Sequence, residues 1–451
     1  YFALQRAVEW AVELRKPLLI LEALRSDYPW ASDRFHRFVL DGMADNAKSL
    51  SGSGAGYYPY VEMAPGDGRG LLETLAENAC IVVTDDLPAF FLPRAVSTAG
   101  DRLPIPLEQV DSNGLLPMAE ADKAFSTAYS FRRILQKKLP DFLDQMPLPD
   151  PAASLSSSRL SQLPPDVVER WPPASEELLS GTRDNLGAIA INHKVQPIRM
   201  RGGAVAATVL ARRFIEDNLP SYGEGRIDPA EDTTSGLSPY LHFGHISVHQ
   251  VFAELVHVRG WSIDRLGPIP SGRRSGWWGL DAPAEAFLDQ LVTWRELGFN
   301  FCHNRRDYDQ FESLPDWAQE TLAEHASDPR PYLYSSEELE SARTHDDLWN
   351  AAQHQLVVEG RIHTYLRMLW GKKILEWTAS PRDALRVMIN FNNQYAVDGR
   401  DPNSYSGIFW CLGRYDRPWG PERPIFGKVR YMSSENTKRK LAVTRYIEKY
   451  S

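Results

Sequence analysis

The sequence predicts an α/β protein in which a domain with a parallel sheet precedes an all-helical domain. Strand and helix patterns alternate over the first third of the chain, a Pro- and Ser-rich stretch follows, and later segments are almost all helical in period. A chain of 451 residues is also too long for one ordinary core. We therefore expect an α/β domain over residues 1–145, a surface linker over 146–200 and a helical domain over 201–451.

The elements of the first domain follow from local patterns. Helices are expected over 2–14, over 33–51 with Asp33 as its cap, and over 70–78. Short buried strands are expected over 17–24, 57–63 and 79–84. Strands that alternate with helices indicate a parallel, Rossmann-like sheet. The glycines of Gly66–Gly70 have the wrong spacing for a dinucleotide-binding loop, so this segment is predicted to be a turn.

Two later stretches lack a sustained period. Pro147–Pro173 is rich in Pro, Ser and Leu, which indicates a linker on the surface rather than a fold element. Gly260–Pro283 is rich in Gly, Arg and Trp. A surface loop and a partner-binding insertion both remain open for this second stretch.

Composition excludes several classes of protein. No apolar run approaches the roughly 18–20 residues that span a bilayer, and the N-terminus lacks the order of a secretory signal. The chain begins at Tyr1 inside a helical pattern, so we expect part of the natural start to be missing. Cys80, Cys302 and Cys411 lie far apart, which suits a reducing cytoplasm and argues against disulfides. Neither the cysteines nor the 11 histidines show metal-ligand spacing.

Charge is distributed unevenly along the chain. The net charge of −9 argues against a general nucleic-acid binder. Between Leu412 and Lys440, however, eight basic residues oppose three acidic ones, a local net charge of +5. A solvated surface and a face for a phosphate backbone both remain open for this segment. The 13 Trp are also more than an ordinary core needs.

A hydroxyl-rich turn, Thr233–Ser238, leads into a predicted helix. Such a turn offers backbone N–H groups and side-chain donors to a phosphate. Taken alone, the pattern favours a helix N-cap.

A helix is predicted over Val357–Trp377. Spacings of four, three, four and three residues place one stripe of side chains along it: His363, Arg367, Trp370, Ile374 and Trp377. A buried Arg in such a stripe needs an anionic partner, for which Asp398 is a candidate. Trp349 on the preceding segment is placed to pack beside the stripe. Spacing alone favours an aromatic core.

The segment Asn390–Arg439 mixes Asn, Asp, Gly and aromatic residues. Such a polar stretch would make a poor core, and in a large helical domain it favours a loop that carries a site. Its basic end offers cations for phosphates and aromatic faces for bases.

Taken together, these segments resemble the class II cyclobutane pyrimidine dimer (CPD) photolyases of the photolyase/cryptochrome family. The similarity runs in order along nearly the whole chain, through LEALRSDYPWASDRFHRFVLDGM, SYGEGRIDP, SGLSPYLHFG, FLDQLVTWREL, FESLPDWA, THDDLWNAAQ, MLWGKKILEWT, DGRDPNSYSG and GKVRYMS. The resemblance implies an antenna-type N-terminal α/β domain, whose first strand we expect to be missing, and a helical FAD-binding domain. A deazaflavin-type antenna pigment is compatible with it, although no pocket is identified.

The resemblance also assigns residues to FAD. The ribityl and phosphate region would contact Tyr222 and the turn Thr234, Ser235, Gly236, Leu237 and Ser238. Asn350 and Arg367 would line the flavin, with Arg367 paired to Asp398. Asn392 would lie near flavin N5, where an amide hydrogen-bonds either protonation state. Trp370, Trp349 and Trp377 match an electron-transfer chain, in that order outward, which replaces the interpretation as an aromatic core.

UV-damaged DNA is the implied partner, with a flipped-out dimer as the substrate. Trp294 and Trp410 match the aromatic pair that flanks the dimer, Met368 matches a neighbour, and Arg430, with Lys428 nearby, matches an arginine that fills the vacated duplex. Excited, reduced FAD would donate one electron to the dimer and recover it after the ring opens. A monomer without membrane or metal is expected.

The chain departs from the family pattern at two positions. Gln290 stands where the family has a glutamate that hydrogen-bonds the dimer, and Gln250 stands where class II members have an arginine. Gln290 cannot supply a carboxyl proton, and Asp289 beside it does not share its helix face. Both changes bring into question the efficiency of repair or the lesion repaired, and they leave the FAD inference intact.

Two other functions stay open beside photolyase. A cryptochrome-like photoreceptor, or a relative acting on another lesion, would keep FAD and the Trp chain without efficient dimer repair. A structural or non-flavin nucleic-acid-binding module fits the basic segment alone, and it predicts a colourless protein.

Overall fold

A computed structural model describes residues 1–155, 163–181, 183–229, 231 and 233–451. Its strands are β1 (Leu19–Leu24), β2 (Gly56–Val61), β3 (Val82–Asp85) and β4 (Leu107–Val110). Its α-helices are α1 (Phe2–Leu14), α2 (Asp33–Leu50), α3 (Leu71–Ala76), α4 (Leu92–Arg102), α5 (Ala128–Lys138), α6 (Pro165–Arg170), α7 (Glu176–Leu179), α8 (Ala204–Arg213), α9 (Tyr222–Gly225), α10 (Ser238–His242), α11 (Val248–Val258), α12 (Ala282–Leu288), α13 (Arg295–Asn304), α14 (Asp316–Glu324), α15 (Ser336–Glu340), α16 (Asp347–Glu359), α17 (Thr364–Trp377), α18 (Pro381–Tyr395), α19 (Pro402–Cys411), α20 (Ser434–Lys440) and α21 (Thr444–Tyr450). Phe214–Asn218 and Asp289–Trp294 form π-helical turns.

The chain divides into two compact units. The first comprises Tyr1–Pro117, Asp144–Ala211 and Leu237–Phe252, and holds all four described strands. The second comprises Met118–Leu143, Arg212–Gly236 and Ala253–Ser451, and its described residues are mostly helical. The predicted α/β fold class with a helical C-terminal part is therefore confirmed. The domain limits at 145 and 200 stay a prediction.

Strand pairing in the first unit is parallel. β1 pairs with β2 in the register Leu19 to Gly56, and β3 pairs with β4 in the register Val82 to Leu107. The described strands thus form two parallel pairs rather than one continuous sheet. The helices between them make the crossovers that parallel pairing requires. The glycine-rich segment at 66–70 is a turn, as expected.

The N-terminus of α2 differs from the prediction by one residue. Ser32 occupies the N-cap position, and Asp33 is the first helical residue. The Asp33 carboxylate lies 2.8 Å from Nδ1 of His193, so its oxygen binds a side chain instead of capping the helix.

The linker predicted over 146–200 stays a prediction, but it contributes several side chains to the core. Val167 of α6 and Trp171 after it are buried against Tyr58, Tyr60 and Leu71. A second cluster buries three more residues of the segment against Leu24 and Leu40: Leu179, Leu186 and Ile189. Apolar residues scattered among prolines carry no period, so sequence patterning missed this part of the core. Residues 156–162 of the predicted linker lie outside the described residues.

The helix predicted over Val357–Trp377 is broken. Gly360 ends α16 at φ 69°, and its N–H donates to the carbonyl of Leu356 at 3.0 Å. A left-handed residue at this position is a common helix C-terminus, and glycine adopts it without steric cost. Helix α17 then begins at Thr364 after His363, so the stripe from 363 to 377 keeps its helical spacing.

Two irregular stretches are more ordered than their composition suggests. Asn390–Asn393 lie within α18, and Pro402–Cys411 form α19, so the loop predicted over 390–439 is partly helical. In the stretch 260–283, Trp277 and Trp278 are buried, which removes their rings from any partner-binding surface. The Trp261 indole N–H donates to the carbonyl of Trp278 at 2.6 Å, and the Trp261 backbone N–H donates to the carbonyl of Val256 in α11 at 2.9 Å.

No helix in the described part of the chain is both long and apolar enough to cross a bilayer. Within the same residues, no group of three or more His, Cys, Asp and Glu side chains is arranged to bind a metal ion.

Candidate electron-transfer and DNA-binding site

Three tryptophans of the second unit form one contiguous group. The Trp349 indole N–H donates to the Trp370 carbonyl at 3.1 Å, and the rings of Trp349 and Trp377 have centroids 5.5 Å apart. All three are at most 2% exposed. The Trp370 indole N–H donates to Oε1 of Gln353 at 2.8 Å, which fixes the ring. The structure therefore brings Trp370, Trp349 and Trp377 into contact across α16 and α17.

The ion pair expected between Arg367 and Asp398 is present. Nη2 of Arg367 lies 3.1 Å from Oδ1 of Asp398, and both side chains are largely buried. Arg367 lies one turn before Trp370 on α17, so the cation and the innermost indole share a helix face. A partly buried cation beside a single carboxylate retains donors for a further anionic or polar group.

Two buried amides lie near the end of α18. Asn392 is almost inaccessible to solvent and donates through Nδ2 to the Ser404 hydroxyl at 2.7 Å. Asn393 donates to the Tyr405 hydroxyl at 3.1 Å and accepts the backbone N–H of Arg400 at 2.9 Å. These bonds tie the end of α18 to α19. The Asn392 amide is thus held in one orientation by Ser404.

The Asn350 amide is hydrogen-bonded to Thr344 at both ends. Its Oδ1 accepts the Thr344 hydroxyl at 2.7 Å, and its Nδ2 donates to the Thr344 carbonyl at 2.9 Å. Both ends of the amide thus hold the turn before α16. The flavin contact predicted for Asn350 stays a prediction that this geometry does not favour.

No hydroxyl-bearing residue of the turn Thr233–Ser238 occupies the N-cap position of α10. Leu237 occupies the N-cap position of α10, and Ser238 is the first helical residue. Gly236 has φ 65°, a left-handed conformation that favours glycine. The Thr233 hydroxyl oxygen is buried and lacks a hydrogen-bond partner among the described residues. A buried hydroxyl of this kind fits a polar ligand such as a phosphate ester.

Tyr222 lies in an aromatic cluster of the second unit. Its ring packs edge-on against Phe214 at 5.5 Å and Phe287 at 5.6 Å. Burial raises the pKa of its hydroxyl, so the phenol stays neutral and able to donate a hydrogen bond.

Trp294 and Trp410 stack on each other. Their ring centroids are 4.4 Å apart, and the planes are inclined by 12°. Trp294 ends the π-helical turn and Trp410 lies near the end of α19, and both rings are partly accessible. The two indoles thus present a joint aromatic face, and separating them would be required to insert a base between them.

Met368 contacts Cys411, the residue that follows Trp410 in the chain. Its sulfur is 3.9 Å from Sγ of Cys411, which follows Trp410 in α19. The close approach of α17 and α19 depends on Gly371, because a Cβ there would lie 2.5 Å from the Cys411 sulfur. One glycine thus sets the spacing between the helix of Trp370 and the helix of Trp410.

Gln290 and Asp289 have different surroundings. Asp289 is buried and forms a salt bridge of 2.8 Å with Arg132, whose guanidinium also donates to the Gly272 carbonyl at 3.0 Å. Gln290 is half-buried and precedes Trp294 by four residues, which places both on one face of the π-helical turn. The Asp289 carboxylate is therefore bound to Arg132, whereas Gln290 lies about one helical turn before Trp294.

The basic segment Leu412–Lys440 presents fewer unpaired cations at the surface than its sequence suggests. Arg414 is buried, with its guanidinium carbon 3.5 Å from the centre of the Phe301 ring. Lys428 pairs with Glu422 at 3.1 Å, and Lys438 pairs with Asp347. The exposed cations that remain are Arg417, Arg423, Arg430, Arg439 and Lys440.

Sequence analysis missed an aromatic residue in this segment. Trp419 is 39% exposed, and the guanidinium groups of Arg417 and Arg430 lie 5.4 and 5.3 Å from its ring centre. An exposed indole between two cations can stack on a base while the cations contact phosphates. The Arg-Pro-Trp sequence at 417–419 is the signal that could have identified it.

A buried lysine was also missed. Lys372 is inaccessible to solvent and donates through Nζ to the Cys411 carbonyl at 2.6 Å. Burial lowers the pKa of Lys372 to about 8. Gln250, by contrast, is an exposed side chain of the first unit that lies 3.3 Å from the Thr208 hydroxyl.

No family model matches the chain. Curated relatives do match it. The chain is 36% identical over 448 residues to the deoxyribodipyrimidine photo-lyase of Methanothermobacter thermautotrophicus, covering 99% of this chain and 90% of that protein. It is 33% identical over 448 residues to the deoxyribodipyrimidine photo-lyase of Potorous tridactylus, covering 98% and 77%. For the protein of the same name from Arabidopsis thaliana, the identity is 31% over 458 residues, covering 99% and 85%.

Two solved structures share the fold. A bacterial class III photolyase from Agrobacterium tumefaciens superposes with a TM-score of 0.67 at 16% identity, over 99% of this chain and 83% of that chain. The cryptochrome of Synechocystis sp. PCC6803 superposes with a TM-score of 0.68 at 14% identity, over 100% and 85%. At these identities the superpositions establish the fold alone.

Proposed function

The chain belongs to the photolyase/cryptochrome family, and from this premise we propose that it is a light-driven DNA-repair lyase, a deoxyribodipyrimidine photo-lyase of class II that splits cyclobutane pyrimidine dimers. The observation that carries the proposal is the contact between Trp370, Trp349 and Trp377 beside the Arg367–Asp398 pair. The three tryptophans provide a route for electrons, and the Arg367–Asp398 ion pair lies near Trp370, at the inner end of that route. The names of the curated relatives support the lyase activity.

FAD is the proposed cofactor. Three features of the second unit fit it: the Arg367 cation with donors to spare, the fixed Asn392 amide, and the buried Thr233 hydroxyl beside the proposed phosphate-binding turn Thr234–Ser238. When bound and reduced, FAD supplies the electron that light transfers to the dimer and that returns after the ring opens. Arg367 would offset negative charge on the flavin, Asn392 would hydrogen-bond near N5, and Tyr222 would donate to the ribityl and phosphate region.

The protein's own part in activation is to pass electrons inward. Trp377, Trp349 and Trp370 would relay them one at a time. The rings of Trp377 and Trp349 are in contact, and the Trp349 indole is hydrogen-bonded to the backbone of Trp370. Burial keeps water away from the rings, and the bond from Trp370 to the neutral Gln353 fixes the innermost ring without adding a charge.

The lesion would bind against the stacked pair Trp294 and Trp410. Stacking on an aromatic side chain contributes about 1–3 kcal/mol per base, and Met368 adds a polarizable contact nearby. Gln290 lies one turn from Trp294, where its amide would hydrogen-bond the dimer. The half-buried amide can donate and accept, but it cannot protonate a dimer radical anion.

The undamaged part of the duplex would lie along the basic segment. Arg430 would enter the space that the flipped lesion vacates, and Lys428 would exchange Glu422 for a phosphate. Trp419, held between Arg417 and Arg430, adds an aromatic face to this surface.

A deazaflavin-type antenna pigment would fit at the carboxyl ends of β1 and β3, where ligands of parallel sheets bind. Aromatic residues follow both strands there. Tyr28 stacks near Phe91 at 6.1 Å, and Trp30 stacks near Phe90 at 6.1 Å.

Gln290 favours a second candidate function, a cryptochrome-like photoreceptor or a relative that acts on another lesion. Such a protein would keep FAD and the tryptophan relay while lacking the carboxyl group at this position.

The test combines a visible spectrum with a repair assay on the purified chain. Flavin absorption, followed by restored thymines after reduction and illumination with dimer-containing DNA, is the expected result. Bound flavin with intact dimers would contradict dimer repair and favour the second candidate. A colourless protein that binds no added FAD would contradict both functions.

A further inference from the structure

The stretch Gly260–Pro283 carries two arginines at its surface. Arg273 and Arg274 are exposed, and neither forms a salt bridge with any residue that the structure describes. The two tryptophans that follow them, Trp277 and Trp278, are buried. The stretch therefore keeps these aromatic rings inside the fold and presents its cations to solvent.

Helix α5 fixes the backbone that carries these arginines. The Gln136 side chain accepts the Gly272 N–H through Oε1 at 2.8 Å and donates through Nε2 to the Arg273 carbonyl at 2.9 Å. One turn earlier on α5, Arg132 donates to the Gly272 carbonyl at 3.0 Å and binds the Asp289 carboxylate at 2.8 Å. A backbone that is already ordered loses little conformational entropy when it binds a partner.

The exposed side of α5 adds further cations beside the loop. Tyr129, Arg133 and Lys137 follow one another at spacings of four residues, which places them in one stripe. All three are exposed, and Tyr129 is 56% exposed. A Cβ at Gly272 would lie 2.5 Å from Cγ of Arg133 and 3.0 Å from the Tyr129 ring, so the stripe lies against the loop. Together these residues form what we call the α5 basic surface: Tyr129, Arg133, Lys137, Arg273 and Arg274.

The carboxylates next to this surface are bound to other groups. Glu285 is buried, and its oxygens accept the backbone N–H groups of Gly276 and Leu280. Asp289 is buried in its salt bridge with Arg132. Because both carboxylates are engaged inside the fold, the cations of the α5 basic surface remain available to a partner. On a chain with a net charge of −9, such a surface attracts polyanions locally.

We propose that the α5 basic surface binds the phosphate backbone of undamaged duplex DNA. The inference goes beyond the proposed function, since it requires neither FAD nor a pyrimidine dimer. The planar guanidinium groups of Arg273 and Arg274 match the geometry of phosphate oxygens, and Tyr129 adds a phenolic hydroxyl that can donate to phosphate. Duplex DNA carries one negative charge per about 1.7 Å of its axis. This charge density suits a cluster of cations better than the scattered carboxylates of an acidic protein surface.

Phosphate contacts of this kind carry no sequence information. They supply the binding of a protein to any DNA and let it slide along the duplex. The α5 basic surface thus holds the chain on DNA between lesions, separately from the stacked pair Trp294 and Trp410.

The test measures the affinity of the purified chain for a short undamaged duplex at several salt concentrations. The double variant Arg273→Gln/Arg274→Gln keeps part of each side-chain stem and removes two charges. It should lower the slope of log affinity against log salt by about 2, at about 0.9 per phosphate contact, and weaken binding at low salt several-fold. Arg133→Gln/Lys137→Gln, on the α5 stripe, should have the same effect.

The matched control is Arg382→Gln/Arg386→Gln. It also removes two exposed arginine charges from the second unit, but these arginines are paired with Glu312 and Asp383. The control should keep the wild-type slope. Equal midpoints of urea unfolding establish that all variants are folded.

A wild-type slope in either variant of the α5 basic surface would overturn the proposal. An equal fall in the control would overturn it too, because the measurement would then report total charge alone. Polyglutamate that competes as well as the duplex at equal charge would overturn the choice of DNA and favour an acidic protein as the partner. These measurements need no light and no lesion, so a failure of dimer repair and a failure of this surface are distinguishable.

Discussion

The Trp349 indole N–H donates to the backbone carbonyl of Trp370 at 3.1 Å, so two aromatic residues from different helices are joined by a directed bond. Helix α16 carries one and α17 the other, and the break at Gly360 lets the chain bring them together. Their separation is therefore set by a hydrogen bond as well as by packing.

Replacing Trp370 by Phe should reduce photoreduction of bound, oxidised FAD by orders of magnitude. Phenylalanine is far harder to oxidise than tryptophan, and the innermost step of the relay would be lost. The rate of flavin bleaching under blue light with a thiol donor measures this. Trp278→Phe, which alters another buried indole of the same unit, is the control. Equal bleaching in the two variants would remove Trp370 from the relay.

Replacing Gln290 by Glu should raise the repair yield per absorbed photon. The partial burial of this position favours a protonated Glu, which could then donate to the dimer radical anion. The yield is measured with prereduced protein and dimer-containing oligonucleotides, and Gln290→Leu serves as the control without hydrogen-bonding groups. A lower yield in Gln290→Glu would mean that the site is adapted to the amide.

Replacing Arg430 by Ala should weaken binding to dimer-containing DNA and flatten its salt dependence. Loss of one phosphate contact reduces the slope of log affinity against log salt by about 1. Titrations at several salt concentrations measure both effects. Arg386→Ala removes an exposed arginine of the same unit that pairs with Asp383, and it provides the control. If the slopes of both variants match that of the wild type, Arg430 does not contact the DNA.

The stability of the first unit should fall in mild acid because of His36. The imidazole is fully buried beside Tyr28, and burial lowers the pKa of His36 from 6.5 to about 4. Since the unfolded chain binds the proton more readily, stability is complete above pH 6.5 and declines as the pH falls toward 4. The full loss would be at most about 3 kcal/mol.

His36→Phe should remove the share of this decline that His36 contributes, since phenylalanine keeps a ring beside Tyr28 and does not titrate. Denaturant unfolding at pH 7 and pH 5 measures the difference. The same loss of stability in both proteins would assign the acid sensitivity to other groups.

Strong periodic patterns predicted the elements of the first unit well, as Phe2–Leu14 shows. Predictions failed where the burial of a residue depends on contacts with residues that are distant in sequence. Trp171 and Val167 sit among prolines without a period, yet they complete the core around Tyr58 and Tyr60. Asn393 looks like a loop residue until Tyr405 and Arg400 satisfy its amide within a buried helix.

The candidate site was also predicted only in part from the sequence. The stripe from His363 to Trp377 and the Arg367–Asp398 pair followed from helical spacing and from the need of a buried cation for an anion. The burial of Arg414 against Phe301 could not be predicted, because a sequence does not show which cations of a basic segment face inward.

Gly371 has a consequence for how this protein can change. A methyl group at that position would collide with the Cys411 sulfur and push apart the helices that carry Trp370 and Trp410. The proposed electron relay and the proposed lesion-binding surface therefore share one spacing, which a single residue sets. Selection on either property acts on both, so variants with a new lesion preference are expected to retain glycine here and to vary in the side chains around it.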